Sequence, residues 1–230
     1  MLKLLDPRQP NDEFPPVDQA LSEPDGLLAV GGDLSPSRLL KAYKHGVFPW
    51  YNPGEPILWW SPDPRLVLLP DRLRISRSLN KACRNGGFRV SFDQAFAEVV
   101  DACSAPRKGE KGTWITPEMK TAYNRLHHLG FAHSVECWLE DRLVGGLYGV
   151  AIGRVFFGES MFHRHNNASK VAFVRLVQWL KAWNYALIDC QVRTDHLISL
   201  GAEEIPRKRF VRLIGQGCEE PCAETAWQSP

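Results

Sequence analysis

The short apolar run at residues 188–192 is interrupted by a carboxylate and an amide that could act together. Asp189 and Gln191 stand two residues apart in it. On a β-strand this spacing predicts that both side chains point to the same face of the sheet. The Asp189 carboxylate could then hold the amide NH2 of Gln191 and leave the amide oxygen as an acceptor for an attacking amine. In the alternative, which the pattern alone favours, the two residues cap a helix or bind loop backbone.

A second acid, Glu159, follows the aromatic run at residues 155–157. A buried acid among aromatic rings requires a polar or charged partner. Glu159 could therefore bind the ammonium group of a substrate, or it could be an exposed charge at the edge of a sheet. The pattern does not separate these two interpretations.

Tryptophans and basic residues indicate a possible nucleic-acid partner. Trp50, Trp59, Trp60 and Trp114 are candidates for stacking on bases, worth about 1–3 kcal/mol for each base, although core packing is the commoner role of any single Trp. Residues 65–89 carry a net charge of +6 against −4 in the remainder. Within that segment Arg77, Lys81 and Arg84 have i, i+4, i+7 spacing, which predicts one basic helix face. Such a face binds phosphates or is simply solvated.

Composition and motifs exclude several classes of protein. The 230 residues are 44% hydrophobic and 23% charged, which is typical of a globular protein. No signal peptide or membrane-spanning run is evident, so we expect a soluble cytoplasmic protein with reduced cysteines. No phosphate-binding glycine loop is present. The pairs His163/His165 and Cys218/Cys222 are too sparse for a zinc site, and we expect no metal and no cofactor.

The elements that must position these residues predict an α+β fold. Residues 1–64 are rich in turn signals and form a small N-terminal domain, in which Ser35-Pro36 begins one helix and Gly46 ends it. The second domain, residues 65–230, contains helices near 77–84, 93–103 and 116–129. It continues with an antiparallel meander at 133–139, 142–150 and 154–161, a helix at 167–183 and a buried strand at 186–192. This last crossover is expected to be parallel and right-handed, and residues 219–230 are expected to form a loose tail.

Together these segments resemble the leucyl/phenylalanyl-tRNA–protein transferase family over about residues 14 to 214. Eight short matches occur in order, and they are residues 26–34 (GLLAVGGDL), 46–50 (GVFPW), 57–65 (ILWWSPDPR), 112–116 (GTWIT), 145–149 (GGLYG), 158–162 (GESMF), 167–170 (NASK) and 188–191 (IDCQ). The resemblance implies a GNAT-like acyltransferase fold for the second domain, without metal or acyl-CoA. It implies transfer of Leu or Phe, and less well Met, from Leu-tRNA or Phe-tRNA to proteins or peptides that begin with Arg or Lys. The products would be substrates of N-end-rule degradation.

The resemblance also assigns roles to individual residues. Asp189 and Gln191 match the proposed catalytic pair, and Glu159 matches the acid near the aminoacyl α-amino group. Trp50 and Trp114 match the aromatic residues that hold the 3′-terminal adenosine, with Tyr43 and Tyr123 nearby. The apolar pocket for the transferred side chain would be lined by Leu147, Phe156, Met161, Phe173, Leu176, Leu180 and Ile188. Leu147 and Leu176 are more aliphatic than the family pattern, which leaves the preference between Leu and Phe open.

Three routes for the proton of the attacking amine remain open. Asp189 could fix Gln191 so that the amide oxygen accepts a hydrogen from the amine, or Asp189 could act as a general base, or a free terminal hydroxyl of the tRNA could shuttle the proton. The rival functions are an acyl-CoA-dependent N-acyltransferase and a non-catalytic tRNA-binding module. No exposed apolar heptad seam is present, so a monomer is expected.

Overall fold

The computed structural model describes residues 2–10, 12–106, 113–222 and 226–227. Its N-terminal part contains a four-stranded sheet with the order β1-β2-β4-β3. Strand β1 is parallel to β2, and the other pairs are antiparallel. The elements are β1 (Lys3–Leu5), a 3-10 turn (Val17–Gln19), β2 (Leu27–Gly31), α1 (Pro36–Lys44), β3 (Phe48–Pro49) and β4 (Leu58–Trp60).

The remaining strands form a seven-stranded sheet with the order β11-β5-β10-β9-β8-β7-β6. The strands are β5 (Arg65–Leu68), β6 (Phe88–Phe92), β7 (Ala132–Leu139), β8 (Arg142–Ile152), β9 (Val155–His163), β10 (Leu187–Gln191) and β11 (Glu203–Ile205). The predicted meander is confirmed, because β7, β8 and β9 pair antiparallel in succession. The crossover is also confirmed, since β10 returns parallel to β9. The α+β class and the meander-then-crossover arrangement are therefore those of the structure.

Helices cover both faces of the large sheet. They are α2 (Arg77–Asn85), α3 (Phe96–Cys103), α4 (Pro117–His128), α5 (Ala168–Ala182), α6 (Asp195–Ser199) and α7 (Arg207–Gly217), and a 3-10 turn spans Pro70–Arg72. One hydrophobic cluster joins α2 and α5 to one sheet face. The other cluster joins α3, α4 and α7 to the opposite face and includes side chains of the N-terminal sheet.

The predicted helix starts at Ser35 and Thr116 are confirmed. Each side chain accepts a hydrogen bond from a backbone N–H in the first turn, and proline occupies the next position. The helix predicted from residue 93 begins only at Phe96. Asp93 has a φ of 55°, and its carboxylate accepts from the Ser134 backbone N–H at 2.8 Å, so this residue belongs to the turn before the helix.

The two sheets part between Trp60 and Arg65, yet one cluster holds side chains from both. Leu39 and Trp59 of the N-terminal part pack in the same cluster as Phe157 and Phe210. The division into domains 1–64 and 65–230 stays a prediction.

The C-terminal tail differs from the expected loose segment at two of its described residues, Ala226 and Trp227. Ala226 is fully buried, and its carbonyl accepts from the Trp179 indole N–H at 2.8 Å. Trp227 stacks on His133 with 4.0 Å between ring centroids and donates to the Tyr185 hydroxyl at 2.9 Å. Residues 223–225 and 228–230 of the predicted tail, and Gly112 of the matching segments, lie outside the described residues.

The described helices include none that is both long and apolar enough to cross a membrane.

Candidate active site

Strand β10 ends in an irregular turn that separates Asp189 from Gln191. The pairing with β5 shifts register between these two residues, and Gln191 adopts a left-handed φ of 61°. The simple alternation of a strand therefore fails here. The prediction that the Asp189 carboxylate holds the Gln191 amide is wrong, because the amide Nε2 donates instead to Oε1 of Glu159 at 3.0 Å.

The Asp189 carboxylate is bound by an arginine that the sequence reasoning did not single out. Arg65, on β5, donates from Nε to Oδ1 at 2.8 Å and from Nη2 to Oδ2 at 2.7 Å. Both side chains are buried. Oδ1 also accepts from the backbone N–H of Gln191 at 2.9 Å. Asp189 thus holds the backbone of Gln191 rather than its side chain.

Glu159 is the acceptor at the centre of the site. It occupies a bulge in β9, where the pairing with β8 shifts register between Tyr148 and Gly149. The Tyr43 hydroxyl lies 2.8 Å from Oε1, and the Tyr123 hydroxyl lies 2.6 Å from Oε2. The two hydroxyls lie 2.7 Å from each other. Tyr43 and Tyr123, expected near the terminal adenosine, therefore contact the acid directly.

These three oxygen–oxygen contacts form a ring that requires three hydrogens. The two tyrosines supply two of them. The pKa values of Tyr43 and Tyr123 are raised well above 10, first by burial and then by the charge of Glu159, so both hydroxyls keep their hydrogens. An ionised Glu159 accepts from both tyrosines and leaves no hydrogen between their hydroxyls, whereas a neutral Glu159 supplies the third hydrogen and closes the ring.

The electrostatics place the ionisation of Glu159 close to neutral pH, so that both forms of the carboxyl are populated there. Burial raises the pKa of Glu159 to about 7 and is the largest effect; the two tyrosine hydrogen bonds lower it, the charge of Asp189 raises it and that of Arg65 lowers it. The Tyr148 hydroxyl is buried with no hydrogen-bond partner among the described residues. The charge of Glu159 contributes to raising the pKa of Tyr148, so this ring is a third tyrosine near the same acid.

The predicted stacking residues are placed differently from one another. Trp50 is 47% exposed, and its described ring contact is with Trp60, at 5.9 Å between centroids. Trp60 donates its indole N–H to the Trp50 carbonyl at 2.6 Å. Trp114 is half-buried and packs against the hydrophobic cluster that includes side chains of the N-terminal sheet. Trp59 is fully buried in the core, which leaves Trp50 as the ring most available to a base.

The apolar residues expected to bind the transferred side chain come together in one place. They are buried in, or packed against, the cluster on the α5 face of the sheet, and they are Leu147, Phe156, Met161, Phe173, Leu176, Leu180 and Ile188. Tyr43 and Tyr123, which contact Glu159, belong to the cluster on the opposite face. The role of these apolar residues as a pocket stays a prediction.

The basic side chains Arg77, Lys81 and Arg84 lie on α2, as predicted, and all three are exposed. Across the described ranges, none of them forms an ion pair. Phosphate binding by this face stays a prediction. The described residues also contain no group of three or more His, Cys, Asp or Glu side chains that could hold a metal ion.

Arg65 was missed because nothing local marks it. It ends a proline-rich loop and begins a strand whose four residues are all buried, but its partner lies 124 residues away. The available signal was a charged residue directly before the apolar run 66–69, since a buried arginine needs an acid partner.

Comparison with known proteins assigns the chain to a family. Among solved structures, L-PGS from Bacillus licheniformis is similar at 14% identity and a TM-score of 0.41, covering 73% of this chain and 54% of that one; this likeness is too weak to support an argument. A leucyl/phenylalanyl-tRNA–protein transferase of Methylococcus capsulatus is 56% identical over 99% of this chain and 97% of its own length. One of Aromatoleum aromaticum is 63% identical over 94% and 91%. The profile "Leucyl/phenylalanyl-tRNA protein transferase" matches residues 67–215, and the profile of its N-terminal domain matches residues 32–63. With the shared profile, these identities and the near-complete coverage of the relatives, the chain belongs to the leucyl/phenylalanyl-tRNA–protein transferase family of aminoacyltransferases.

Proposed function

We propose that this protein transfers Leu or Phe, and less efficiently Met, from aminoacyl-tRNA to the α-amino group of proteins that begin with Arg or Lys. The acceptors are thereby marked for N-end-rule degradation, and the enzyme acts as a cytoplasmic monomer. The observation that carries the proposal is the Gln191 amide held at 3.0 Å by Glu159 in a chain of this family. Membership of an aminoacyltransferase family disfavours both the acyl-CoA-dependent enzyme and the non-catalytic module.

The reaction is aminolysis of an ester that is already activated. The nitrogen of the acceptor attacks the aminoacyl carbonyl carbon, the bond from that carbon to the ribose oxygen breaks, and the nitrogen's proton passes to the leaving oxygen. An unperturbed α-amine has a pKa of about 7.7–8.0, so a useful fraction is neutral near pH 7. The enzyme therefore needs mainly to bring the two groups together in the correct orientation.

Gln191 is the group that orients the attacking amine in this mechanism. Its NH2 group is engaged by Glu159, which leaves the amide oxygen directed away from that carboxyl. A neutral amide oxygen is a good hydrogen-bond acceptor and a poor base. Gln191 therefore aligns the amine, and the final acceptor of the proton is the leaving oxygen or a terminal hydroxyl of the tRNA.

Glu159 receives the α-ammonium group of the aminoacyl ester. Before the donor binds, the neutral form of the carboxyl closes the hydrogen-bond ring with Tyr43 and Tyr123. A cation beside it favours the ionised form. Donor binding thus releases the Glu159 proton and exchanges one hydrogen bond of the ring for an ion pair.

Asp189 acts through Gln191 rather than as a general base. Both of its oxygens accept from Arg65, and one also accepts from the Gln191 backbone N–H. These three hydrogen bonds engage both oxygens of the buried carboxylate in holding Arg65 and the Gln191 backbone. Support for this view comes from geometry alone, and Asp189→Asn tests it.

The first experiment follows labelled leucine from Leu-tRNA to a peptide with N-terminal Arg. The matched control peptide carries an acetylated N-terminus, and the matched protein is Gln191→Ala. We expect transfer by the wild type only, with loss of at least about 100-fold in kcat for the variant. A folded wild-type protein that binds both Leu-tRNA and Phe-tRNA but transfers neither amino acid contradicts the proposal.

A further inference from the structure

We propose that Arg65 is a positioning residue, which fixes Gln191 in its left-handed conformation through the Asp189 carboxylate. This inference rests on the proposed function, in which Gln191 orients the attacking amine. Arg65 contacts no reacting group. Its effect is on the direction of the Gln191 side chain.

The guanidinium of Arg65 is held rigidly between two aromatic rings. Its central carbon lies 4.6 Å from the ring centroid of Phe48 and 4.6 Å from that of Phe210. Both rings are buried. Phe48 belongs to the small N-terminal sheet and Phe210 to α7, so separate parts of the chain meet on this one cation. Cation–π contacts of this kind are strongest where water is excluded.

The Asp189 carboxylate connects the Arg65 guanidinium to the end of β10. Arg65 binds both of its oxygens as a planar fork, a geometry that fixes the carboxylate plane as well as its position. Oδ1 of the same group accepts from the Gln191 N–H at 2.9 Å. This hydrogen bond compensates a residue whose φ of 61° is unfavourable for a side chain larger than glycine.

The conformation of Gln191 determines where its amide points. With this φ the amide Nε2 reaches Glu159, which lies on the neighbouring strand β9. If Gln191 adopted an extended backbone, its side chain would follow the regular alternation of strand β10, and its amide would point in a different direction from the one that reaches Glu159. The Phe48 and Phe210 rings are therefore connected to the Gln191 amide through Arg65, the Asp189 carboxylate and one backbone hydrogen bond.

A purely structural ion pair would account for the same contacts, and a double variant separates the two roles. Arg65→Met alone leaves a buried carboxylate without its partner, so the loss of the fold would explain any inactivity. Arg65→Met combined with Asp189→Met removes both charges, and such replacements of a buried pair are often neutral in stability. The matched control is Arg38→Met with Asp33→Met, which removes another pair with a fully buried arginine.

We expect the double variant at 65 and 189 to keep the wild-type urea midpoint and affinity for Phe-tRNA while kcat falls about 100-fold, as for a catalytic group displaced by about 1 Å. KM for Phe-tRNA should stay within about twofold, since neither the basic face of α2 nor the Trp50 ring is altered. The control pair should keep kcat. A double variant with wild-type stability and kcat overturns the inference.

A spectroscopic readout makes the test independent of turnover and of the double variant's folding. The side-chain NH2 resonances of Gln191, assigned by their loss in Gln191→Ala, report its bond to Glu159. Arg65→Lys keeps the charge but not the fork, and we expect it to shift these resonances, to speed their exchange with water and to lower kcat about tenfold. Unchanged resonances in folded Arg65→Lys contradict the inference. If the Gln191 resonances differ between the wild type and Arg65→Lys but the wild type transfers no amino acid, the result contradicts the proposed function and not this inference.

Discussion

Replacement of Glu159 by Gln should stabilise the empty enzyme in a pH-dependent way. The ring formed by Glu159, Tyr43 and Tyr123 needs three hydrogens, and an ionised carboxylate supplies none. A glutamine closes the ring at every pH, because its NH2 donates to one tyrosine and its oxygen accepts from the other. With the oxygen at the position of Oε1, the bond from Gln191 is also kept.

The sign and size of the effect follow from proton linkage. The pKa of Glu159 is about 7 in the folded chain against an ordinary 4.5. Between these two values the native state binds more protons than the unfolded state, so the contribution of Glu159 to stability falls as the pH rises through this window. At about 1.4 kcal/mol for each pKa unit, the full loss is about 3 kcal/mol.

Urea denaturation of both proteins at pH 5 and pH 8 measures this loss directly. The stability difference, Glu159→Gln minus wild type, should increase by about 2–3 kcal/mol between the two pH values. Glu140→Gln, at an exposed turn, is the matched control and should show no such increase. If the stability difference between Glu159→Gln and the wild type changes by less than about 0.5 kcal/mol between the two pH values, the assignment of a neutral Glu159 is refuted, because linkage predicts a larger change. The same variant should transfer poorly, since it cannot ionise beside an ammonium group.

Three further predictions concern other parts of the molecule. Asp189→Asn retains an acceptor for the Gln191 N–H, so its single-turnover rate should fall by no more than about tenfold; a loss of about 10³-fold or more would favour a general base. Charge reversal of Arg77, Lys81 and Arg84 on α2 should weaken binding to any tRNA. In filter-binding assays it should reduce the slope of log K against log salt concentration by about 2–3. An unchanged slope would exclude α2 as the phosphate contact. Trp227→Ala should lower the free energy of unfolding by about 3 kcal/mol without weakening tRNA affinity, and an unchanged urea midpoint would show that the tail packing contributes nothing.

Helices and the meander were predictable because their signals are local. Ser35-Pro36 and Thr116-Pro117 place a capping hydroxyl and a proline at adjacent positions, and each helix begins there. The strands of the meander are joined by two-residue turns, so their pairing follows from sequence order. The three-residue strand β11 has no such signal, and its pairing with β5 is set by tertiary contacts.

The structure brings together residues that the sequence singled out as a candidate site, but with contacts that the sequence did not predict. Asp189, Gln191 and Glu159 were identified, yet which carboxylate holds the amide depends on a left-handed residue at the end of β10. Sequence spacing predicts a regular strand and therefore the wrong partner. The Asp189 carboxylate instead binds Arg65, which lies on a strand 124 residues earlier in the chain.

The charges around Glu159 bear on the proposal that this residue receives a cationic group. Arg65 and Asp189 compensate each other as one buried pair. An ionised Glu159 beside them would be a second buried negative charge without a cation of its own, and the charge of Asp189 adds to this cost by raising the pKa of Glu159. The site is therefore balanced in two states. In one, Glu159 is neutral and completes the ring with two tyrosines. In the other, Glu159 is ionised, and in the proposed function the α-ammonium group of the aminoacyl ester would provide the missing positive charge.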